Sequence, residues 1–194
     1  MKVSKFYLVK KEIEKILKNS DCVNLSDREK DPTHSKLTLQ WVLKLKSDAD
    51  ETLQIAALGH DVDRAIEKRR VKKEKFQDYE EYKREHARES AKIICEILEK
   101  HGFKKDFIKK VRFLIENHEV GGFEETDVLK EADSLTFFNF DIYHYLKDRG
   151  NDKTKKKIRF MYKRLSEEAK KLVNQIKFKD KKIENLFKEA TLSL

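Results

Sequence analysis

The spacing of apolar side chains is the feature that most restricts how this chain can fold. Apolar residues recur every three or four positions along almost the whole sequence, and no segment shows sustained alternation of apolar and polar residues. A period near 3.6 residues is typical of amphipathic α-helices, whereas a half-buried strand needs a period of two. One proline and five glycines leave few positions that interrupt helices. The sequence therefore predicts an all-α fold.

The predicted helices suggest one domain with an extension. Residues 1–150 are expected to form the all-α domain, and residues 151–194 a C-terminal helical extension packed on that domain. The pattern places helices at about 3–18, 79–100, 105–118, 153–176 and 181–190, and Thr126 is a candidate cap for the helix that follows it. The basic stretch after residue 64 is expected to be a loop with short helical pieces.

The charge balance favours anionic partners without identifying one. There are 45 Lys and Arg against 36 Asp and Glu, a net charge of +9. Phosphorylated metabolites, nucleic acid, or solubility alone are each consistent with this excess. Cys22 and Cys95 form neither a metal-type pair nor a disulfide framework. No signal peptide is visible, and no apolar run approaches the length of about 20 residues that spans a bilayer. A cytoplasmic location without membrane association is the expectation.

Several imidazoles and carboxylates fall on the apolar faces of the predicted helices. These residues are His34, His60, Asp61, His86, His118 and Asp133. Each alone can be explained as a hydrogen-bonded core residue. Together they are harder to explain, because burying carboxylates without partners costs several kcal/mol. A divalent cation satisfies all of them, and imidazole plus carboxylate is a common ligand set for first-row metals. His101 and His144 also lie on apolar faces, but no role is assigned to them.

The order of these residues resembles the HD-domain superfamily of metal-dependent phosphohydrolases. The matching segments are DPTHSKLTLQWV, AALGHDVDR, REHARESAKII, IENHEVGG and LKEADSL, and they span about residues 31–140. The resemblance implies an all-α fold of the HD-domain type and a hydrolytic metal centre. It also implies that His34, His60, Asp61 and Asp133 hold one ion, with Asp61 bridging to a second ion held by His86 and His118.

This resemblance implies an enzyme that hydrolyses a phosphomonoester or phosphodiester with metal-activated water. The expected substrate is a nucleotide or related small phosphorylated compound, and Asp61 and Asp63 are the candidate catalytic residues. Arg64, Lys72 and Lys73 are candidates for binding its phosphate. One or two divalent ions are expected per chain, without distinction among Mn, Fe, Zn, Ni, Co and Mg. The sequence does not indicate an oligomeric state.

Two alternatives remain open from the sequence. The basic surface also fits a nucleic acid-binding or RNA-processing protein whose metal site is hydrolytic or structural. The other alternative is a protein without catalytic activity, in which the metal ion only stabilises the fold. Gly59, which precedes the His60–Asp61 pair, has two interpretations as well: it either allows another helix to approach closely or is simply a tolerated core glycine.

Overall fold

The computed structural model describes residues 3–21 and 32–192. Within these ranges all regular secondary structure is helical. The α-helices are α1 (Lys5–Lys18), α2 (Thr33–Leu45), α3 (Glu51–Gly59), α4 (Tyr79–Lys100), α5 (Lys105–Asn117), α6 (Glu124–Thr136), α7 (Ile142–Lys163), α8 (Glu167–Asn174) and α9 (Lys181–Thr191). The prediction of an all-α fold is confirmed for these residues. Asp31 and Thr33 are the residues that the sequence offers as caps for α2; Asp31 and Cys22 lie outside the described ranges.

Short irregular helices separate some of these elements. Two 3₁₀ turns, Val62–Ala65 and Lys73–Lys75, lie between α3 and α4. They occupy the basic stretch that was expected to be a loop with short helical pieces, so that expectation is confirmed. A π-helical segment, Phe137–Asp141, follows α6 directly.

The chain divides into two compact units, Met1–Leu129 and Lys130–Leu194. In the first unit α3 is central, because it contacts α1, α2, α4 and α5. Its residues from Thr52 to Gly59 are almost all buried, which explains why the segment is apolar on nearly every face. The C-terminal end of α3 therefore lies in the interior of this unit.

The second unit is organised by packing between α7 and α9. Phe138 is fully buried, and its ring lies 5.7 Å from that of Phe187 and 6.5 Å from that of Tyr162. Gly150 has φ 74° and ψ 178°, which breaks α7 into two helices. A residue with a Cβ rarely adopts this positive φ, so the break depends on glycine. The predicted domain boundary falls at this break.

Two details of the helical prediction are wrong. The segment 153–176 is not one helix, because α7 ends at Lys163 and Ser166 caps α8 by accepting a hydrogen bond from the Ala169 N–H at 3.3 Å. Thr126 does not cap α6, since the helix already begins at Glu124 and the Thr126 hydroxyl donates to the Phe123 carbonyl. At the end of α7 the amphipathic pattern continues across the true helix end, so it does not mark the boundary.

Within the described ranges, no helix combines the length and the low charge that a bilayer-spanning segment needs.

Asp50 caps the buried helix α3, and its removal should destabilise the fold. Its carboxylate accepts hydrogen bonds from the backbone N–H groups of Thr52 at 2.9 Å and Leu53 at 3.0 Å. Substituting such a cap with alanine typically costs about 1 kcal/mol. We expect Asp50→Ala to lower the free energy of unfolding by about this amount in urea titrations. Asp50→Asn should retain most of the stability, because the amide oxygen still accepts these bonds.

The charge of Asp50 gives this prediction a pH dependence. Burial raises the pKa of the Asp50 carboxyl, but hydrogen bonds from Thr52 and Lys110 more than offset this and lower the pKa to about 2. Since the unfolded value is 3.8, the carboxylate stabilises the folded state above about pH 4 and loses this effect as the pH falls towards 2. The difference between wild type and Asp50→Asn should shrink over this range. A difference as large at pH 2 as at pH 5 would contradict the assignment.

Candidate metal centre

Two histidines at helix ends are oriented by the backbone. His60 follows the last residue of α3, and its Nδ1 lies 3.0 Å from the carbonyl oxygen of Ala57. His118 follows α5 in the same way, with its Nδ1 2.7 Å from the carbonyl oxygen of Ile115. A carbonyl oxygen only accepts, so each Nδ1 carries the hydrogen and donates it. In its neutral form each imidazole therefore presents the lone pair of its Nε2 as a potential ligand.

Asp61 lies at the centre of four imidazoles, and its side chain is 12 % exposed. The distance from its Oδ1 to the His86 Nε2 is 2.9 Å. Other Nε2 atoms lie 3.8 Å (His60) and 4.0 Å (His118) from Oδ1, and 3.9 Å (His34) from Oδ2. The fold therefore brings together five of the six residues predicted as metal ligands.

The separation of two of these nitrogens is consistent with a shared metal ion. The Nε2 atoms of His34 and His60 are 3.2 Å apart. Metal–nitrogen bonds of about 2.1 Å place neighbouring ligand atoms about 3.0–3.4 Å apart in octahedral and tetrahedral sites. The donor atoms of His60, Asp61 and His118 also lie within 4.8 Å of one another. On both grounds the residues present fit a divalent ion.

His86 is fixed from behind by Asp63, which is fully buried. The His86 Nδ1 donates to Asp63 Oδ1 at 2.8 Å, and the Ser90 hydroxyl donates to the same oxygen at 2.9 Å. The backbone N–H of Val71 donates to the other carboxylate oxygen at 3.3 Å. Asp63 thus lies on the Nδ1 side of His86, whereas the Nε2 of that ring faces Asp61.

Charge in the cluster is concentrated on Asp61, Arg64 and His86. Burial raises the pKa of the Asp61 carboxyl, but Arg64, His60 and His86 more than offset this and hold it well below its usual range. Arg64 Nη1 lies 2.6 Å from Asp61 Oδ2. Burial lowers the pKa of His86, but the Asp63 and Asp61 carboxylates raise it well above its usual range. Without a metal, Asp61 is therefore ionised and His86 is protonated.

Of the residues predicted to bind phosphate, Arg64 is the one with contacts inside the cluster. Besides its ion pair with Asp61, its Nη2 lies 3.4 Å from the His86 Nε2. Lys72 instead pairs with Glu67 at 2.9 Å, and the Lys73 ammonium lies 4.6 Å from the centre of the Tyr79 ring. These contacts hold the two lysines against neighbouring side chains on the surface of the first unit.

Asp133 is the predicted ligand that belongs to the second unit. It lies in the C-terminal part of α6, its side chain is 13 % exposed, and Arg164 Nη2 is 3.5 Å from its Oδ2. His101 pairs with Glu12 at 2.8 Å. The ring of His144 lies against that of Phe140, with 5.2 Å between their centres. Neither of these contacts involves the cluster around Asp61.

Three residues near the cluster were not predicted as site residues from the sequence: Lys83, Ser90 and Glu119. The Glu119 side chain is 14 % exposed, and its Oε1 lies 3.9 Å from the His118 Nε2. A signal for Glu119 was present, because His118–Glu119 repeats the order of His60–Asp61, with an acidic residue directly after a histidine at a helix end. Lys83 and Ser90 have no comparable signal, since single lysines and serines occur throughout helices.

Comparison with known proteins identifies the family of the chain but not its activity. No curated protein and no solved structure matches it. A family model described as "Domain of unknown function (DUF4202)" matches residues 13–186. Because this match covers well over half of the 194 residues, the chain belongs to the family of DUF4202 domains.

Proposed function

We propose that the protein is a metal-dependent phosphohydrolase that acts on a nucleotide or another small phosphorylated compound. The observation that carries the proposal is the convergence of four imidazole Nε2 atoms on one ionised carboxylate, with an arginine beside it. Phosphoester hydrolysis needs a nucleophile at neutral pH and positive charge opposite the phosphoryl oxygens. The ordered resemblance to the HD-domain superfamily points to the same chemistry.

The ligand roles are those that the resemblance implies, and the distances within the first unit support them. His34, His60 and Asp61 would hold one divalent ion, and His86 and His118 would contribute to a second, with Asp61 shared. When bound, such ions supply activated water and neutralise charge on the phosphoryl group. That Asp133 is also a ligand of the first ion stays a prediction from the resemblance.

Asp63 and Arg64 have separate roles in this proposal. Asp63 is a positioning residue rather than a catalytic one, because its carboxylate holds the His86 ring by the Nδ1 hydrogen. Carboxylate–histidine pairs of this kind orient metal ligands. Arg64 binds a substrate phosphate, since a guanidinium presents a planar pair of donors to phosphoryl oxygens. Lys72 and Lys73 contribute less, because their contacts are with Glu67 and Tyr79, whereas Arg64 lies beside Asp61.

The proposal is tested by metal analysis followed by assays of hydrolysis. Purified protein is analysed for bound elements, stripped with a chelator, and reloaded with Mn, Co, Mg or Ni. We expect phosphate release from at least one phosphomonoester or phosphodiester substrate, lost on stripping and restored on reloading. A protein that binds metal but hydrolyses none of a broad set of nucleotides and small phosphoesters would contradict the proposal.

The nucleic acid alternative makes a different prediction. Binding to a phosphate backbone weakens steeply with salt, so gel shifts between 50 and 200 mM salt should show a loss of about a thousand-fold or more. The structure favours this alternative less, because Arg69 in the basic loop is paired with Glu89 and Glu96. Tight, salt-sensitive binding to nucleic acid without small-molecule hydrolysis would favour it over our proposal.

A further inference from the structure

Glu119 places a second carboxylate at the edge of the histidine cluster. Its Oε1 lies 3.9 Å from the His118 Nε2, and that same nitrogen is 4.0 Å from Asp61 Oδ1. The His118 Nδ1 already donates to the Ile115 carbonyl, so the Nε2 is the ring nitrogen that faces the two carboxylates. This arrangement of acceptors is electrostatically unfavourable unless positive charge lies among them.

The ammonium of Lys83 lies close to the carboxylate of Glu119. It is 3.7 Å from Glu119 Oε2 and 3.0 Å from Glu80 Oε2, and the Lys83 side chain is 7 % exposed. A buried ammonium is costly unless it is paired. Lys83 therefore forms an ion pair with one oxygen of Glu119, while the other oxygen lies 3.9 Å from the His118 Nε2.

Each of three candidate ligands has a neighbouring group that contacts its side chain. These ligands are His86, His118 and Glu119. Asp63 holds His86, the Ile115 carbonyl holds His118, and Lys83 pairs with Glu119. The three ligand atoms lie within 4.8 Å of one another. Metal ligands in proteins are typically oriented by outer contacts of this kind.

We propose that Glu119 is a ligand of the second divalent ion, together with His86 and His118, and that Lys83 positions its carboxylate. The inference rests on the proposed metal centre and adds to it a ligand outside the predicted set. Two imidazoles with two carboxylates, Asp61 and Glu119, form a mixed nitrogen and oxygen set. Such a set suits an ion of the Mn²⁺ or Fe²⁺ type rather than a thiolate-seeking one.

The test is the binding of Mn²⁺ alone to stripped full-length protein, measured by calorimetry and by the electron paramagnetic resonance signal of free Mn²⁺. We expect two sites per wild-type chain. Glu119→Gln, which keeps the shape of the side chain, should weaken the second site by about 100-fold and leave the first nearly unchanged. Lys83→Met should weaken the second site by about 10-fold, in the range for outer contacts, and Lys83→Arg should restore most of it.

Glu116→Gln is the matched control, because Glu116 lies in the last turn of α5, is 33 % exposed and pairs with Arg112. It should bind both ions as the wild type does, and thermal unfolding should show that all variants are folded. An unchanged second site in Glu119→Gln, or an equal weakening of both sites, would overturn the assignment of Glu119 while the metal centre stands. A wild type that binds no Mn²⁺ at all would instead contradict the metal centre itself.

Discussion

Asp61→Ala is expected to abolish metal-dependent phosphate release and to weaken metal binding more than any other single substitution in the cluster. Asp61 lies within 4 Å of His34, His60, His86 and His118 alike, so its loss affects both proposed ions. Loss of an outer contact typically lowers metal affinity by roughly 10–100-fold. The decrease in Asp61→Ala should be larger than this. Calorimetry with Mn²⁺ and an assay of phosphate release measure the two effects.

Two controls make this result specific. His101→Ala should leave metal binding and activity largely intact, because His101 pairs with Glu12 and contacts none of the cluster residues in the contacts described above. Asp61→Asn keeps the side-chain volume beside Arg64 and should still lose the activity. Equal losses in Asp61→Ala and His101→Ala, with both proteins folded, would show that the cluster around Asp61 is not the reactive centre.

Gly59→Ala is expected both to destabilise the first unit and to disturb the proposed metal centre. A Cβ at position 59 would lie 2.5 Å from Ile94 Cδ1 and 2.6 Å from Ile94 Cγ1. Ile94 is fully buried, and overpacking of this kind costs about 1–3 kcal/mol. The higher helix propensity of alanine offsets about 1 kcal/mol of this cost. We therefore expect a net loss of up to about 2 kcal/mol, or up to about 8 °C in Tm.

The cause can be isolated with a double-mutant cycle. Ile94→Ala alone should cost about 2–5 kcal/mol through the cavity it leaves. In the double variant, alanine at position 59 should cost nothing further, because both clashing atoms are gone. Additive losses would mean that the contact with Ile94 is not the reason for glycine. Metal affinity should also fall in Gly59→Ala, since His60 follows directly and depends on the end of α3 for its orientation.

Periodicity predicted the elements of the fold well where helix ends also carried capping signals. The predicted limits of α4 agree with the structure, because Asp78 caps the first turn and Gly102 follows the helix with φ 67°. The end of α7 was missed, since apolar residues continue with helical spacing through Leu165. Ser166 followed by Glu167 and Glu168 is a helix-start signal, but the uninterrupted periodicity concealed it.

The cluster itself was predictable because its members extend the apolar faces of regular helices. The role of Asp63 was not, because Asp63 lies in a 3₁₀ turn, where helical spacing no longer indicates the direction of a side chain. The partners of Lys72 and Lys73 were also beyond the sequence, since the loop after α3 brings them to Glu67 and Tyr79 only in the folded chain. Glu119 was missed because a single acidic residue after a helix is most simply a solvated one.

The shared geometry of His60 and His118 has a consequence for the order in which ligands bind. Both residues close a helix, so α3 and α5 direct the carbonyl ends of two peptide dipoles towards the cluster. The C-terminal end of a helix is equivalent to about half a negative charge. The backbone thus adds to the field of Asp61 and favours a cation over an anion beside His60 and His118. For the proposed activity, this polarity favours an ordered sequence in which the metal ion binds before the phosphorylated substrate.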